Sequence, residues 1–172
     1  SLYCVTKTTG GTTSWRFYKN ASDAKEGQPE QVQAYTLTIS GEGAMADYAR
    51  NTTPWGLKLA ELLEVETTDN NVSDFCSPHI TRVVFTEDSN VTYIGAHAFR
   101  STSIRTFEFP ASVESIGDYA FIMCRQLKSI TAPGSNDNRK FYVKDDVVYQ
   151  PYGSDDLALR FFPLAKETGA YK

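Results

Sequence analysis

The sequence predicts a β-rich, α+β fold: a short solenoid with a small parallel sheet, an N-terminal β cap and a C-terminal β-hairpin region. The first supporting observation is an internal repeat, since residues 91–99, VTYIGAHAF, recur 22 residues later as residues 113–121, VESIGDYAF. The second is a set of three apolar segments that begin at Ile80, Ile104 and Leu127, at steps of 24 and 23 residues. Self-similarity at a fixed period of this length is typical of stacked repeat architectures.

Each of the three segments, ITRVVF, IRTFEF and LKSITA, is predicted to be a short strand with apolar side chains at its first, fourth and sixth positions. Period-two alternation points these side chains inward and the residues between them outward. A strand of this pattern that recurs every 20–29 residues has leucine-rich-repeat geometry. The prediction therefore places Val83, Phe107 and Ile130 in one buried column beneath a continuous parallel ribbon.

The repeated Ile-Gly-x-x-Ala-Phe block is predicted to return the chain from one strand to the next. Gly95 and Gly117 allow close backbone approach, because they carry no Cβ atom. Phe99 and Phe121 are expected to fill the space between successive repeats.

Residues 116–127, IGDYAFIMCRQL, carry the full pattern I-G-x-x-A-F-x-x-C-x-x-L. This block closely resembles the BspA-like, treponemal-type leucine-rich repeats of bacterial surface proteins. The first copy departs from the pattern, because only four residues separate Phe99 from Ile104 and Thr102 stands where the family has cysteine.

Flanking segments extend the resemblance. Residues 35–48, YTLTISGEGAMADY, followed by Pro54 and Trp55, look like the opening that precedes such repeats, and residues 15–17 look like its partner strand. Toward the other end, two segments are similar to the family's F-x-V-x-D-G-V-L-Y…L-x-x-Y-P insertion, with Asp146 where the pattern has glycine; they are residues 142–149 and 157–163.

Three regions are therefore expected. Residues 1–79 form an N-terminal cap of β-hairpin, helix and inserted loop, residues 80–134 form the repeats, and residues 135–172 form a C-terminal β-hairpin insertion, expected to be truncated. The expected elements of the cap are strands near residues 14–18 and 35–40, a polar loop over residues 20–33, a helix from Pro54 to Leu63 with Thr53 as its cap, and an inserted loop at residues 67–77.

The charge and hydrophobicity of the chain exclude some classes of binding partner. The net charge of −4 and the pI near 5.2 provide no basic stripe, so nucleic acid is not an expected partner. No apolar run is long enough to span a membrane and no signal segment opens the chain. With the resemblance, this predicts a secreted or cell-surface location, as a fragment or processed form of a longer protein whose signal and anchor lie outside this chain. A monomer is expected.

No catalytic constellation is found. The chain has two histidines, His79 and His97, in unrelated contexts, and three cysteines without a placed histidine partner. The sequence therefore predicts no enzyme, no cofactor and no metal site. Cys124 occupies a repeat position that favours a buried free thiol, whereas a disulfide between Cys4 and Cys76 stays open.

The predicted site is the outward face of the repeat strands, where partners of such repeats commonly bind. The predicted function is a non-enzymatic, adhesin-like module that engages a host or matrix protein. Two alternatives are a structural spacer that displays another domain, and a carbohydrate-binding module that uses exposed Tyr and Trp side chains, such as Trp15 or Trp55, although both tryptophans match cap positions of the family that are expected to be core. The candidate partner-binding residues are Arg82, Val84, Thr86, Thr106, Glu108, Ser129 and Thr131.

Overall fold

The computed structural model describes the backbone of residues 2–8, 13–19, 34–152 and 156–166. The predicted β-rich fold is confirmed, because short strands in four small sheets dominate and helices are few. The strands are β1 Leu2–Thr8, β2 Ser14–Lys19, β3 Tyr35–Ser40, β4 Glu42–Ala44, β5 Ile80–Phe85, β6 Asn90–Ile94, β7 Thr106–Glu108, β8 Ser115–Ile116, β9 Ser129–Thr131, β10 Tyr142–Lys144, β11 Val147–Tyr152 and β12 Asp156–Phe161. The helical elements are α1 Pro54–Leu62, a π-helical turn Val72–Cys76 and a 3₁₀ turn Ser77–His79.

The N-terminal sheet has the order β1-β2-β3-β5. Strands β1, β2 and β3 pair antiparallel, and β5 joins β3 in parallel. Burial alternates along β3, where Tyr35, Leu37 and Ile39 are buried and the residues between them are half-buried. The strands predicted at residues 14–18 and 35–40 are confirmed, whereas the polar loop predicted at residues 20–33 lies outside the described residues.

Residues 35–48 continue the path of the repeats in the N-terminal direction, which sequence reasoning missed. Strand β4 pairs in parallel with β6, as β3 does with β5. Beyond β4, Met45 N–H donates to the Tyr93 carbonyl at 3.1 Å and Tyr48 N–H donates to the Ala96 carbonyl at 3.0 Å. The N-terminal region therefore meets the repeats through the same hydrogen-bond pattern that the repeats use between themselves.

A carboxylate stabilises the contact between the N-terminal region and the first copy of the repeat. Asp47 Oδ1 accepts hydrogen bonds from the Tyr93 hydroxyl at 2.6 Å and from Ala96 N–H at 2.8 Å. These bonds lower the pKa of Asp47, that from Tyr93 most. Burial, followed by the bond to Asp47, raises the pKa of Tyr93 to about 12. The pair therefore consists of a carboxylate and a protonated phenol at neutral pH.

The two copies of the repeat lie side by side. Strands β6 and β8 pair in parallel, and so do β7 and β9. In the turn after β6, alternate N–H groups of the first copy donate to carbonyls of the second at 2.8 to 3.1 Å; the pairs are His97 to Asp118, Phe99 to Ala120 and Ser101 to Ile122. The predicted parallel pairing is thereby confirmed for the second and third repeat strands, β7 and β9.

Aromatic rings fill the space between the copies. The Phe99 and Phe121 centroids are 5.6 Å apart, and the Phe107 ring lies 5.5 Å from the first and 4.7 Å from the second. The predicted contact between Phe99 and Phe121 is confirmed. Such ring pairs stabilise the fold beyond the area that they bury.

The continuous parallel ribbon predicted over the three repeat strands is wrong. Strand β5 belongs to the N-terminal sheet and β7 to a separate two-stranded sheet, and the two are not hydrogen-bonded neighbours. They are joined just before β7, where Ser103 N–H donates to the Ile80 carbonyl at 2.8 Å. Beyond that bond, β5 follows the twist of the N-terminal sheet and shifts its register against β3. The other segment bends at Arg105 before β7 begins, so that the two strands are not paired. In the predicted column, Phe107 and Ile130 are accordingly buried and Val83 is only partly buried.

Helix α1 is confirmed at Pro54–Leu62, one residue shorter than predicted, with Leu59 fully buried. Thr53 stands at its N-cap, but its side chain makes no capping hydrogen bond. The prediction of an extended polar loop over residues 67–77 is wrong in its second half. Val72 and Cys76 are buried there in the π-helical turn, which offsets the cost of ordering a polar segment.

The C-terminal hairpin is confirmed as the antiparallel sheet β10-β11-β12. Its first turn consists of Asp145 and Asp146, with φ angles of 50° and 66°. Two left-handed residues form the tight connection that matches strand twist, and aspartate tolerates this conformation better than most residues. The replacement of the family's glycine by Asp146 therefore keeps the two-residue turn.

Both described cysteine side chains are free and buried, as predicted for Cys124. Because Cys76 is free, the structure contains no disulfide between it and Cys4, whose own side chain is not described. Burial raises the pKa of Cys76, and it raises the pKa of Cys124 to about 11. Both thiols are therefore protonated at neutral pH and poorly suited to act as nucleophiles.

Candidate functional site

A groove runs between β5 and β7, where the sheet is split. Its volume is about 610 Å³. Five of the seven predicted partner-binding residues line it: Arg82, Val84 and Thr86 from β5 and its end, and Thr106 and Glu108 from β7. The period-two prediction of outward positions therefore identified residues that share one open surface, the β5/β7 groove.

Partly buried apolar side chains lie at the bottom of the groove. Val83 and Phe85 line it, and both pack against the core while remaining partly exposed. The ring of Phe107, which is itself buried, meets that of Phe85 edge to face at 6.1 Å. The groove thus offers an apolar floor between polar rims.

The rims carry charges of both signs. Arg82 is exposed on the β5 side, whereas Glu108 is exposed on β7 and Glu87 follows β5. Among the described residues, none of the three forms an ion pair with another protein group. The exposed charges of Arg82, Glu87 and Glu108 are therefore available to a bound partner.

Ser129 and Thr131, the other two predicted residues, do not line the groove. Ser129 Oγ donates to Asp146 Oδ1 at 3.1 Å, and Ile130 N–H donates to the same oxygen at 3.1 Å. The C-terminal hairpin therefore engages this part of the outward face. Thr131 is exposed beside it.

Asp146 also binds Lys166, whose ammonium lies 3.0 Å from Oδ2. The hydrogen bond from Lys166, helped by those from Ile130 and Ser129, holds the pKa of Asp146 below the ordinary value of an aspartate, against the opposing effect of burial. Because the Asp146 carboxyl ionises more readily in the folded protein than in the unfolded chain, its charge stabilises the fold. This stabilisation is fully present at pH values above the unfolded pKa of about 3.9 and is lost as the pH falls through the folded pKa.

Asp146→Asn is therefore expected to lower the free energy of unfolding at pH 7 by about 1 kcal/mol, since the ion pair is partly exposed. The difference from the unsubstituted protein should shrink as the pH is lowered below 4, which urea denaturation at pH 7 and pH 3 measures. Asp137→Asn, on the exposed loop before β10, is the control and should have little effect. An equal loss at both pH values would contradict the assigned role of the carboxylate.

A second pocket, of about 390 Å³, lies between the second copy and the C-terminal hairpin. It is mainly apolar, and Phe121 and Phe161 meet within it at 5.4 Å. Three exposed side chains stand around it: Tyr119 at 59%, Met123 at 37% and Leu164 at 58% exposure. None of the predicted site residues belongs to this pocket.

The histidines form no shared site in the structure. His97 stacks on Tyr119 with ring centroids 5.3 Å apart, and its pKa is lowered by burial and by the charges of Arg100 and Arg50. His79 lies in the 3₁₀ turn. In the described part of the chain, no three His, Cys, Asp or Glu side chains are grouped so as to hold a metal ion.

Trp15 and Trp55 are each 1% exposed, and their rings meet at 6.1 Å in the core. The indole N–H of Trp55 donates to the Ala98 carbonyl at 2.9 Å. Neither ring presents a face to solvent on which a sugar could stack. The two tryptophans therefore do not supply the exposed rings that the carbohydrate-binding alternative requires.

Comparisons with known proteins agree with the repeat architecture. Residues 68–143 match the family described as BspA type leucine rich repeat region, six copies. The predicted resemblance to BspA-like leucine-rich repeats is thereby confirmed. No curated protein matches the chain, and no described helix is long and apolar enough to cross a membrane.

Two solved structures are similar over most of the chain. A leucine-rich repeat protein from Eubacterium ventriosum is 18% identical with a TM-score of 0.43, over 95% of this chain and 52% of that one. A leucine rich cell surface protein from Faecalibacterium prausnitzii is 16% identical with a TM-score of 0.41, over 96% of this chain and 63% of that one. The chain spans between half and two thirds of the length of these relatives.

Proposed function

We propose that this chain is a non-enzymatic, adhesin-like binding module of a secreted or cell-surface protein, and that it binds a host or matrix protein through the β5/β7 groove. The observation that carries the proposal is the convergence of five outward strand residues on one open groove with unpaired charges on its rims. The match of the repeat region to the BspA-type family supports an interaction or surface role.

The proposed architecture is a short solenoid segment. Its proposed divisions are an N-terminal cap of residues 1–79, repeats over residues 80–134 and a C-terminal hairpin insertion from residue 135. The parallel pairs β6–β8 and β7–β9 support this arrangement. The module is proposed to act as a monomer, because binding through the groove requires one chain only.

The test is binding to a panel of immobilised host and matrix proteins, with Arg82→Glu and Glu108→Lys as the variants. Reversal of either charge is expected to weaken binding at least about tenfold, since unlike rim charges should meet complementary charges on the partner. Lys140→Glu and Asp137→Lys change exposed residues outside the groove and should leave binding unchanged. Binding that survives both groove reversals would contradict the assignment of the groove.

A spacer that holds another domain is the alternative, favoured by the exposed apolar side chains Tyr119, Met123 and Leu164 beside the second pocket. An apolar patch of this kind suits permanent contact with further structure. The spacer hypothesis is supported if no protein of the panel binds and if Leu164→Ser, but neither groove variant, changes how the chain packs against the other domains of a full-length protein.

A further inference from the structure

Because β5 and β7 belong to separate sheets, the edges of these two sheets lie opposite each other across the groove. Among the strands that the structure describes, each of the two has a partner on its far side only, β3 for β5 and β9 for β7. Most Cα atoms of β5 lie more than 8 Å from those of β7, whereas neighbouring strands of a sheet lie about 4.8 Å apart. Two strands that flank a third are about 10 Å apart on the same spacing.

The hydrogen bonds on the far sides identify the backbone groups that face the groove. Thr86 N–H donates to the Ile39 carbonyl of β3 at 3.0 Å, so Val84 and Arg82, two and four residues earlier, also bond to β3. Because backbone groups alternate in direction along a strand, the N–H and C=O groups of Val83 and Phe85 point into the groove.

The backbone groups of β7 alternate in the same way. Phe109 N–H donates to the Thr131 carbonyl at 2.8 Å, and the Arg105 carbonyl accepts from Lys128 N–H at 3.0 Å. Odd-numbered residues therefore bond to β9, and the backbone groups of Thr106 and Glu108 point into the groove.

These open groups match a single extended strand. Thr106 corresponds to Arg82 and Glu108 to Val84, since the two segments are related by a step of 24 residues. A strand lying level with them would bond through alternate residues to Val83 and Phe85 on one side and to Thr106 and Glu108 on the other. Exposed edges of this kind are templates for strand addition.

The side chains define what the inserted strand should carry. Its inward residues would meet the partly exposed side chains of Val83 and Phe85, which requires apolar side chains. Its outward residues would meet Arg82 at one level and Glu108 two residues further along. An acidic residue and a basic residue, separated by one apolar residue, therefore complement the groove.

We propose that the β5/β7 groove binds an extended peptide segment of alternating acidic, apolar and basic residues as an inserted β-strand that completes the sheet between β5 and β7. This inference rests on the proposed protein-binding function and specifies the form of the partner. Affinity comes from main-chain hydrogen bonds on both sides, and selectivity comes from the floor and the rim charges.

The test uses a capped seven-residue peptide of sequence Gly-Glu-Val-Lys-Val-Glu-Gly, which presents the same charges in either direction. It is expected to bind the full chain, and a version N-methylated at both valines should bind at least about tenfold more weakly, because two hydrogen-bond donors are lost while every side chain remains. A peptide with glutamate and lysine exchanged should also bind more weakly. Equal binding of the N-methylated peptide would overturn the inserted strand.

Amide hydrogen exchange locates the strand without any substitution. In the free protein the amides of Val83, Phe85, Thr106 and Glu108 should exchange fast, and those of Val84 and Phe107 slowly. Addition of the peptide should slow the first four. Slow exchange of these four amides before peptide is added would show the groove closed in solution and would overturn the proposal.

A matched pair of variants tests the same bonds from the protein side. Thr106→Pro removes one N–H that faces the groove and leaves the ladder to β9 intact, whereas Thr106→Ala keeps that N–H. Only the proline variant should lose peptide binding, with circular dichroism as the check on folding. If whole partner proteins bind and Arg82→Glu weakens that binding, but the peptide does not bind, the inserted-strand proposal is wrong and the proposed function stands. If neither the proteins nor the peptide bind, both proposals are wrong.

Discussion

Gly95→Ala is expected to destabilise the fold by roughly 4 kcal/mol, which is at the upper end for a single substitution. A Cβ atom at position 95 would lie 1.8 Å from the Ala46 carbonyl oxygen, a separation that no real contact reaches. The backbone around Ala46 cannot easily withdraw, because the hydrogen bonds of Met45 and Tyr48 to the first copy hold it in place. Urea denaturation followed by circular dichroism measures the loss.

Gly43→Ala is the control for this experiment. Gly43 has a φ of +85° but open space around the position of a Cβ atom. Alanine there suffers backbone strain alone and should cost about 1 kcal/mol. If both substitutions cost the same, the close approach of the N-terminal region to the first copy is not what requires glycine at position 95.

Phe107→Ala is expected to lower the free energy of unfolding by about 3 to 5 kcal/mol, the usual cost of removing a buried phenylalanine ring. Phe107 is 2% exposed. Four other phenylalanine rings meet it at centroid distances of 4.7 to 6.1 Å, those of Phe85, Phe99, Phe109 and Phe121. Truncation leaves a cavity that these rigid rings cannot fill.

Phe85→Ala is the comparison, since Phe85 occupies the corresponding floor of the groove and is only partly buried. Its loss is expected to cost about half as much, because less apolar area returns to water and no closed cavity forms. Thermal or urea unfolding of both variants measures the difference. A larger loss at Phe85 would show that the groove is closed over its floor in solution.

The repeats were predictable because their signals are local. The Ile-Gly-x-x-Ala-Phe block fixes both the close approach at Gly95 and the ring contact between Phe99 and Phe121, and both are confirmed. Period two likewise placed Arg82, Thr106 and Glu108 on one surface. The groove that gathers them was not predicted, because strand pairing depends on how the twist of the N-terminal sheet meets the repeats, which no short pattern encodes.

Other misses have the same origin in long-range contacts. Residues 35–48 show strand alternation, but only their pairing with β5 and β6 reveals that they follow the path of the repeats. The structural role of Asn51 likewise depends on a residue distant in sequence, because its Oδ1 accepts Ser73 N–H at 3.1 Å and helps order the predicted loop as a turn. Ser129 was assigned to a partner because nothing near it in sequence indicates Asp146.

The hydrogen bonds from His97, Phe99 and Ser101 to the second copy lie along the direction in which the copies are arranged. Tension in that direction would pull on each bond along its own length. The hydrogen bonds between neighbouring copies would then break one after another. This requires less force than breaking all bonds of a ladder at the same time by shear. Under load along this direction, the copies are therefore expected to separate in steps, which single-molecule force measurements would record.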